Sequence, residues 1–209
     1  MAAGKRTAAA LGGWIVFEDE SGQSMRPPRS RTWARRGITP VIRVRQGGTG
    51  RVSVAGLACC RPGHRSRLIY RLHLYRGRKG ETSAFTWSEY RDLLIAAHYQ
   101  LPGGIIVLVW DNLPVHLRAE LRAFTSAQAW LRVFQLPSYA PDLNPVEGIW
   151  SVLKGGVLAN LAAASFSHLL QVIRHGLKKI QYQPGLIEGC LAGTGLSLEP
   201  AEDQADIAN

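Results

Sequence analysis

The sequence predicts an α/β domain: one mixed sheet, three antiparallel strands followed by alternating helix and strand, with helices on both faces. Three observations lead there. Over 209 residues, apolar side chains make up 46% and charged ones 19%, enough to fill a core and incompatible with wholesale disorder. Up to about residue 75 the apolar segments are short, and some alternate with a period of two. From residue 86 the period becomes helical, interrupted by short apolar runs of the kind that form strands covered on both sides. At roughly 100–200 residues per domain, one domain is expected. Residues 14–185 are its span, between a basic N-terminal extension (1–13) and a frayed acidic tail (186–209).

Each element has its own signal. Trp14-Ile-Val-Phe17 stops at Glu18-Asp19-Glu20 and reads as a buried strand with acids at its exit. Gly22, Pro27, Pro28, Gly37 and Pro40 make residues 21–40 a loop. Residues 41–45 and 51–55 flank Gly47-Gly-Thr-Gly50, a hairpin signature with a longer turn. Residues 68–75 alternate after the Pro62-Gly63 turn and form the next strand, antiparallel to its neighbour. Thr86-x-x-Glu89 is a capping box that opens a helix through about Tyr99. Ile105–Trp110 is a central strand, followed by a helix over 115–127 and a strand over 131–135. A Pro-rich loop (Pro137, Pro141, Pro145) leads to a helix over 145–159, and a last helix covers 166–180.

Charge narrows the partners. The chain carries 25 Lys and Arg against 15 Asp and Glu, a net +10. All of the imbalance sits in residues 21–80, which hold 15 basic side chains, 14 of them Arg, and no acid. A block of one sign is the footprint of a polyanion, and the planar guanidinium fork suits phosphate. Nucleic acid is the expected partner. No apolar run approaches the ~18 residues of a membrane span, and the start lacks the apolar stretch of a signal peptide. Three cysteines, two of them adjacent (Cys59, Cys60), form neither a disulfide framework nor a CxxC pair. A reducing cytoplasm is the expected setting.

Acids at strand exits are the candidates for chemistry. Asp19 follows the first strand and Asp111 follows Ile105–Trp110; sites of open α/β sheets form outside the carboxyl ends of strands. The alternative is that Asp111-Asn112 only starts a turn. Glu147 is the third candidate. Asn144 is placed as N-cap, Pro145 as the first helical residue and Glu147 as the third, so Glu147 could equally close a capping box on Asn144. Three carboxylates brought together repel one another. Divalent metal ions resolve that conflict, since Mg²⁺ takes hard oxygen ligands and bridges carboxylates to phosphate oxygens. Two such ions about 3.5–4 Å apart serve in-line phosphoryl transfer.

The series Phe-Glu-Asp19-Glu-Ser-Gly, Trp-Asp111-Asn-x-Pro-x-His116 and Leu-Pro-Ser-Tyr-Ala-Pro-Asp-Leu-Asn-Pro-Val-Glu147-Gly-Ile-Trp-Ser-x-Leu-Lys154 closely resembles the catalytic domain of DDE transposases. The resemblance is to the bacterial insertion-sequence branch of the mariner-type superfamily, and covers about residues 14–180. Thirty-five residues separate Asp111 from Glu147, in keeping with the short second interval of that family. The stretch Arg31-Thr-Trp-Ala-Arg-Arg-Gly-x-Thr-Pro40 is similar to its loop after the first strand.

The resemblance implies an RNase H-like fold and metal-dependent cleavage and strand transfer of DNA. Asp19, Asp111 and Glu147 match the triad and would be catalytic residues and ligands of Mg²⁺ or Mn²⁺, two ions in all. Asn112 and His116 match the second motif and would support the metal ligands. Arg31, Arg35, Arg36 and Lys154 are the expected DNA contacts. Glu20, on the opposite face of the strand from Asp19, and Asp142, in the loop, rank below the triad. The implied partners are transposon-end and target DNA, further copies of the chain on that DNA, and a separately encoded helix-turn-helix subunit. Such transposases usually carry helix-turn-helix domains ahead of the catalytic one, whereas here the first strand begins near residue 14, so that part is expected either on a separate reading frame or lost. The expected place is the bacterial cytoplasm, on the nucleoid when DNA is bound. Two other readings stand beside this one: an RNase H-like nuclease that cuts without joining, and a non-catalytic, transposon-derived DNA-binding remnant.

Overall fold

The computed structural model describes residues 2–44, 50–137 and 140–196. Five strands form one sheet: β1 (Trp14–Ser24), β2 (Arg51–Cys60), β3 (Arg67–Tyr75), β4 (Ile106–Trp110) and β5 (Leu131–Gln135), in the order β3-β2-β1-β4-β5. Pairing is antiparallel for β3-β2-β1 and parallel for β1-β4-β5. One face is covered by α1 (Ala2–Ala10), α4 (Pro145–Gly155), α5 (Phe166–Gln181) and α6 (Pro184–Gly193). The other carries α2 (Trp87–Gln100) and α3 (Ala119–Ala127). This is the α/β arrangement expected, with helices on both faces.

Two apolar cores follow from the period-two alternation of the strands. On β1, Ile15 and Phe17 face α4 and α5, whereas Trp14 and Val16 face α2. β2 is buried on both faces from Val52 to Cys60, so Cys59 and Cys60 are both core residues. The capping box of α2 forms as expected: Thr86 Oγ1 accepts from the Glu89 amide, and the Glu89 carboxylate accepts from the Thr86 amide.

Four features differ from the sequence expectation. β1 does not stop at Phe17; it runs to Ser24, in register with β2 as far as Ser24 opposite Arg51. The polar half stays extended because β2 satisfies its backbone, while Ser21 and Gln23 turn inward and bond to each other. The expected hairpin of 41–45 with 51–55 is absent. Residues 41–44 form no strand and β2 already has β1 and β3 as partners; Arg45 and the turn through Thr49 lie outside the described residues. The helix expected from 115 begins at Ala119, because residues 113–118 are held in turns at the end of β4. The helix expected to reach 159 ends at Gly155, capped by Gly156.

The ends of the chain also differ. Residues 2–10 of the basic extension form α1, which lies on the sheet with Ala8 buried, and a Cβ on Gly4 would touch Val107, Val109 and Phe134. Residues 186–193, expected in the tail, belong to α6. Ile187 and Leu191 are its buried pair, contributing about 3–6 kcal/mol before conformational entropy is counted. Leu186 and Cys190 pack beside them at partial exposure, and with apolar residues spread around the helix and three glycines in ten, α6 has too weak a period to be recognised in sequence.

Candidate active site

The site begins where the parallel part of the sheet ends. β1 and β4 pair from Trp14–Ile106 to Phe17–Val109. Asp19 and Asp111 each stand two residues past that last pair, so the shared register brings them level at the carboxyl end of both strands. The sequence expectation put Asp19 at the exit of its strand; it lies instead mid-strand, opposite Gly56 of β2, and it is the pairing with β4 that ends there. Asp19 shares the face of Phe17, towards α4.

The N-terminus of α4 is tied to the same point. Asn144 is the N-cap, its Oδ1 accepting from the Val146 amide at 3.2 Å, while its Nδ2 donates to the Glu18 carbonyl at 2.9 Å. One side chain therefore caps the helix and docks it beside Asp19. Pro145 occupies the first turn, where no amide is needed. Val146, Ile149, Trp150 and Leu153 are buried, which leaves Glu147 at the edge of the apolar stripe. Its carboxylate does not close a capping box: it makes no hydrogen bond among the described residues.

Asp19, Asp111 and Glu147 line one cleft of about 480 Å³, together with Asn112, Leu113, Pro114, Leu136, Pro137, Ala140, Pro141 and Asn144. No Lys or Arg is among these lining residues. Trp150 Nε1 donates to Asp19 Oδ2 at 2.7 Å. Asp111 Oδ1 accepts from the Leu113 amide at 3.0 Å and lies 3.0 Å from His116 Nδ1. Asp111 Oδ2 has no protein partner among the described residues. Asn112 Nδ2 donates to the Leu136 carbonyl at 3.1 Å, bracing the ends of β4 and β5. As they stand, no three His, Cys, Asp or Glu side chains among the described residues are close enough to chelate an ion.

Electrostatics mark the cleft as negative and uncompensated. Burial, then the charge of Glu147, push Asp19 up to about 7; the Trp150 bond opposes this and Asp111 adds to it. Burial works against the charge of Asp111 too, but the bonds from His116 and the Leu113 amide outweigh it and hold the group below the ordinary carboxylate range. Glu18, facing away from the cleft, is raised well above that range by burial and by the charges of Asp19, Asp111 and Glu20. Glu20 shares that opposite face and accepts from the Tyr90 hydroxyl at 3.3 Å.

The remaining candidates lie elsewhere. Asp142 is exposed in a short 3₁₀ turn (Pro141–Leu143), outside the cleft lining. Arg31, Arg35 and Arg36 are fully displayed in the β1–β2 connection around Trp33, which is 99% exposed. Their guanidinium groups have no partner among the described residues. Neither they nor Lys154 lines the cleft. Asn160 pins the base of this connection through two bonds to Ser30. Not every cation of the basic block is free: Arg61, Arg65 and Arg67 donate to the carbonyls of Pro102 and Gly103, Tyr182 and Gln100. Sequence reasoning missed Trp150 and Glu18, because their partners are 131 and 98 positions away.

The comparisons with known proteins agree with this architecture. The family model of DDE superfamily endonucleases matches residues 14–170. An insertion element IS630 uncharacterised 39 kDa protein of Shigella sonnei is 30% identical over 80 residues, which is 38% of this chain and 23% of that protein. The Mos1 transposase in a paired-end complex with the left transposon end matches 95% of this chain and 60% of its own, with a TM-score of 0.59 and 20% identity. The catalytic domain of Mos1 mariner transposase matches 95% of this chain and 89% of its own, with a TM-score of 0.52 and 19% identity. The chain thus matches about a quarter of that curated relative and less than two thirds of the Mos1 chain in the paired-end complex. Its mixed sheet has the RNase H-like fold of the Mos1 catalytic domain. With its family model matched over three quarters of its length, the chain belongs to the DDE superfamily endonucleases.

Proposed function

We propose that this chain is the catalytic domain of a transposase that cleaves DNA at transposon ends and joins the freed 3′-OH to target DNA. The observation that carries the reading is the convergence of Asp19, Asp111 and Glu147, from two strands and a helix start, on one cleft with no Lys or Arg among its described lining residues. An oxygen-only donor set suits Mg²⁺ or Mn²⁺. Asp111 Oδ2 and the Glu147 carboxylate have no protein partner among the described residues, and the raised Asp19 is what carboxylates awaiting a counter-ion would show. The three residues would hold two divalent ions. Bound there, such ions supply an activated nucleophile and charge stabilisation for the leaving oxygen. Asn112 and His116 would support Asp111. In cleavage, the water oxygen bonds to phosphorus as the P–O3′ bond breaks. In joining, that 3′ oxygen bonds to a target phosphorus as the P–O3′ bond of the target breaks.

Arg31, Arg35, Arg36 and Lys154 would track the DNA phosphates, with further copies of the chain and a helix-turn-helix subunit as partners in end recognition. Residues 2–44, 50–137 and 140–196 include no helix long and apolar enough to cross a membrane. The expected place is the bacterial cytoplasm, on the nucleoid when DNA is bound. The test is a duplex nicking and strand-transfer assay with Mg²⁺ or Mn²⁺. The wild type cleaves and joins, and Asp111→Asn, folded by circular dichroism, loses both. Cleavage without joining would favour the nuclease reading, and metal-independent binding without cleavage the DNA-binding remnant.

A further inference from the structure

Behind the cleft wall lies a buried group that the triad does not explain. Glu18 is 1% exposed and points to the face opposite Asp19, into a pocket formed by Trp110, Tyr90 and His116. The His116 ring lies flat on Trp110, 4.2 Å between centroids at 6°, with Tyr90 edge-on at 4.8 Å. The stack leaves the two imidazole nitrogens pointing in opposite directions. Nδ1 lies 3.0 Å from Asp111 Oδ1 and 3.2 Å from the Asp111 carbonyl. Both neighbours are acceptors, so Nδ1 carries a proton. Nε2 lies 3.3 Å from Glu18 Oε2.

Neither Glu18 oxygen nor His116 Nε2 has a well-aligned hydrogen bond among the described residues. The two unsatisfied groups face each other. The Tyr90 hydroxyl beside them donates to Glu20. A buried carboxyl is costly in an apolar wall, and an aliphatic side chain would pack there at less cost. Its one charged contact is the histidine that grips Asp111.

We propose that Glu18 and His116 form a buried relay that positions Asp111. Glu18 fixes the imidazole, and the imidazole with the Leu113 amide holds Asp111 Oδ1, leaving Oδ2 for the cleft. Glu18 and His116 are positioning residues in this scheme. It rests on the reading of Asp111 as a metal ligand, and partners of this kind typically change metal affinity or activity by about 10–100-fold.

The test uses the whole chain, with Mn²⁺ alone as the calorimetric probe, unfolding temperature in chelator, and duplex cleavage. Glu18→Met keeps an unbranched side chain but cannot bond Nε2. Its unfolding temperature should equal or exceed that of the wild type, while Mn²⁺ affinity and cleavage fall about 10–100-fold. Glu18→Gln, whose amide can bond Nε2, should recover most of that loss. A residue needed only for packing would not separate stability from metal binding in this way. Glu18→Met binding Mn²⁺ within twofold of wild type, while Asp111→Asn abolishes binding, overturns the relay and leaves the metal site standing. If Asp111→Asn also binds as wild type, the reading of the cleft falls and the relay falls with it. Should Glu18→Met not fold, His116→Asn and His116→Gln decide. Asn retains a donor near Nδ1, so it should exceed Gln by about tenfold in Mn²⁺ affinity, and equal losses overturn the proposal.

Discussion

Asp19→Asn should make the metal-free protein more stable, and the gain should depend on pH in a defined direction. In the folded chain Asp19 is pushed up to about 7, by burial first and by Glu147 next; its ordinary value is 3.8. Folding therefore favours the protonated form. The penalty is full above about pH 7, shrinks as pH falls through that value, and vanishes near 3.8. The gap between the two values corresponds to about 4 kcal/mol at most. Residual solvent access and coupled protonation of its neighbours reduce the expected effect to about 2–3 kcal/mol. The substitution keeps the Trp150 bond, since the amide oxygen of Asn accepts as the carboxylate does. Urea unfolding in chelator, at several values between about pH 5 and 8, measures the difference directly. The variant should exceed the wild type by about 2–3 kcal/mol at the alkaline end, and the gain should fall to about 1 kcal/mol at the acid end, still shrinking towards pH 3.8. Saturating Mn²⁺ should reverse the order, because only the wild type retains the full ligand set. A difference that is constant with pH, or a wild type more stable at about pH 8, would refute the idea of a strained, uncompensated carboxylate.

Two further outcomes are expected. Changing Arg31, Arg35 and Arg36 together to Ala should flatten the dependence of log affinity for duplex DNA on log salt by about 2–3, read by fluorescence anisotropy; an unchanged slope would remove these arginines from the DNA track. Gly56→Ala places a Cβ 2.7 Å from Trp150 Cη2, so it should cost about 1–3 kcal/mol, shift the tryptophan fluorescence and lower cleavage by displacing the indole that bonds Asp19; unaltered unfolding and cleavage would show that the indole yields freely.

Much of the fold was legible because its signals are local. The Thr86–Glu89 capping box, the apolar run ending at Trp110 and the Asn144-Pro145 start of α4 all depend on residues within a few positions of each other, and each element forms where it was expected. The errors occurred where a distant segment decides. Glu18-Asp19-Glu20 reads as a strand exit because nothing nearby reveals that β2, beginning more than thirty residues later, will pair with it. The hairpin of 41–45 with 51–55 has the right residue pattern, but two other strands take both edges of β2. α6 is helical because Ile187 and Leu191 find a core to enter, and its own sequence hardly announces it.

The candidate site divides in the same way. The identities of Asp19, Asp111 and Glu147, the basic block and the family resemblance are properties of the sequence by itself, since residue type, spacing and net charge need no coordinates. That the three carboxylates share one cleft depends on the β1–β4 register and on Asn144 reaching the Glu18 carbonyl, both set by long-range backbone pairing. Tertiary structure alone also decides their electrostatics. Burial and proximity push Asp19 up, whereas two hydrogen bonds hold Asp111 down, and the same residue type in one cleft acquires opposite behaviour. The sorting of the arginines follows the same logic: Arg61, Arg65 and Arg67, near carbonyls left open at element ends, become structural, whereas Arg31, Arg35 and Arg36 meet no acceptor among the described residues.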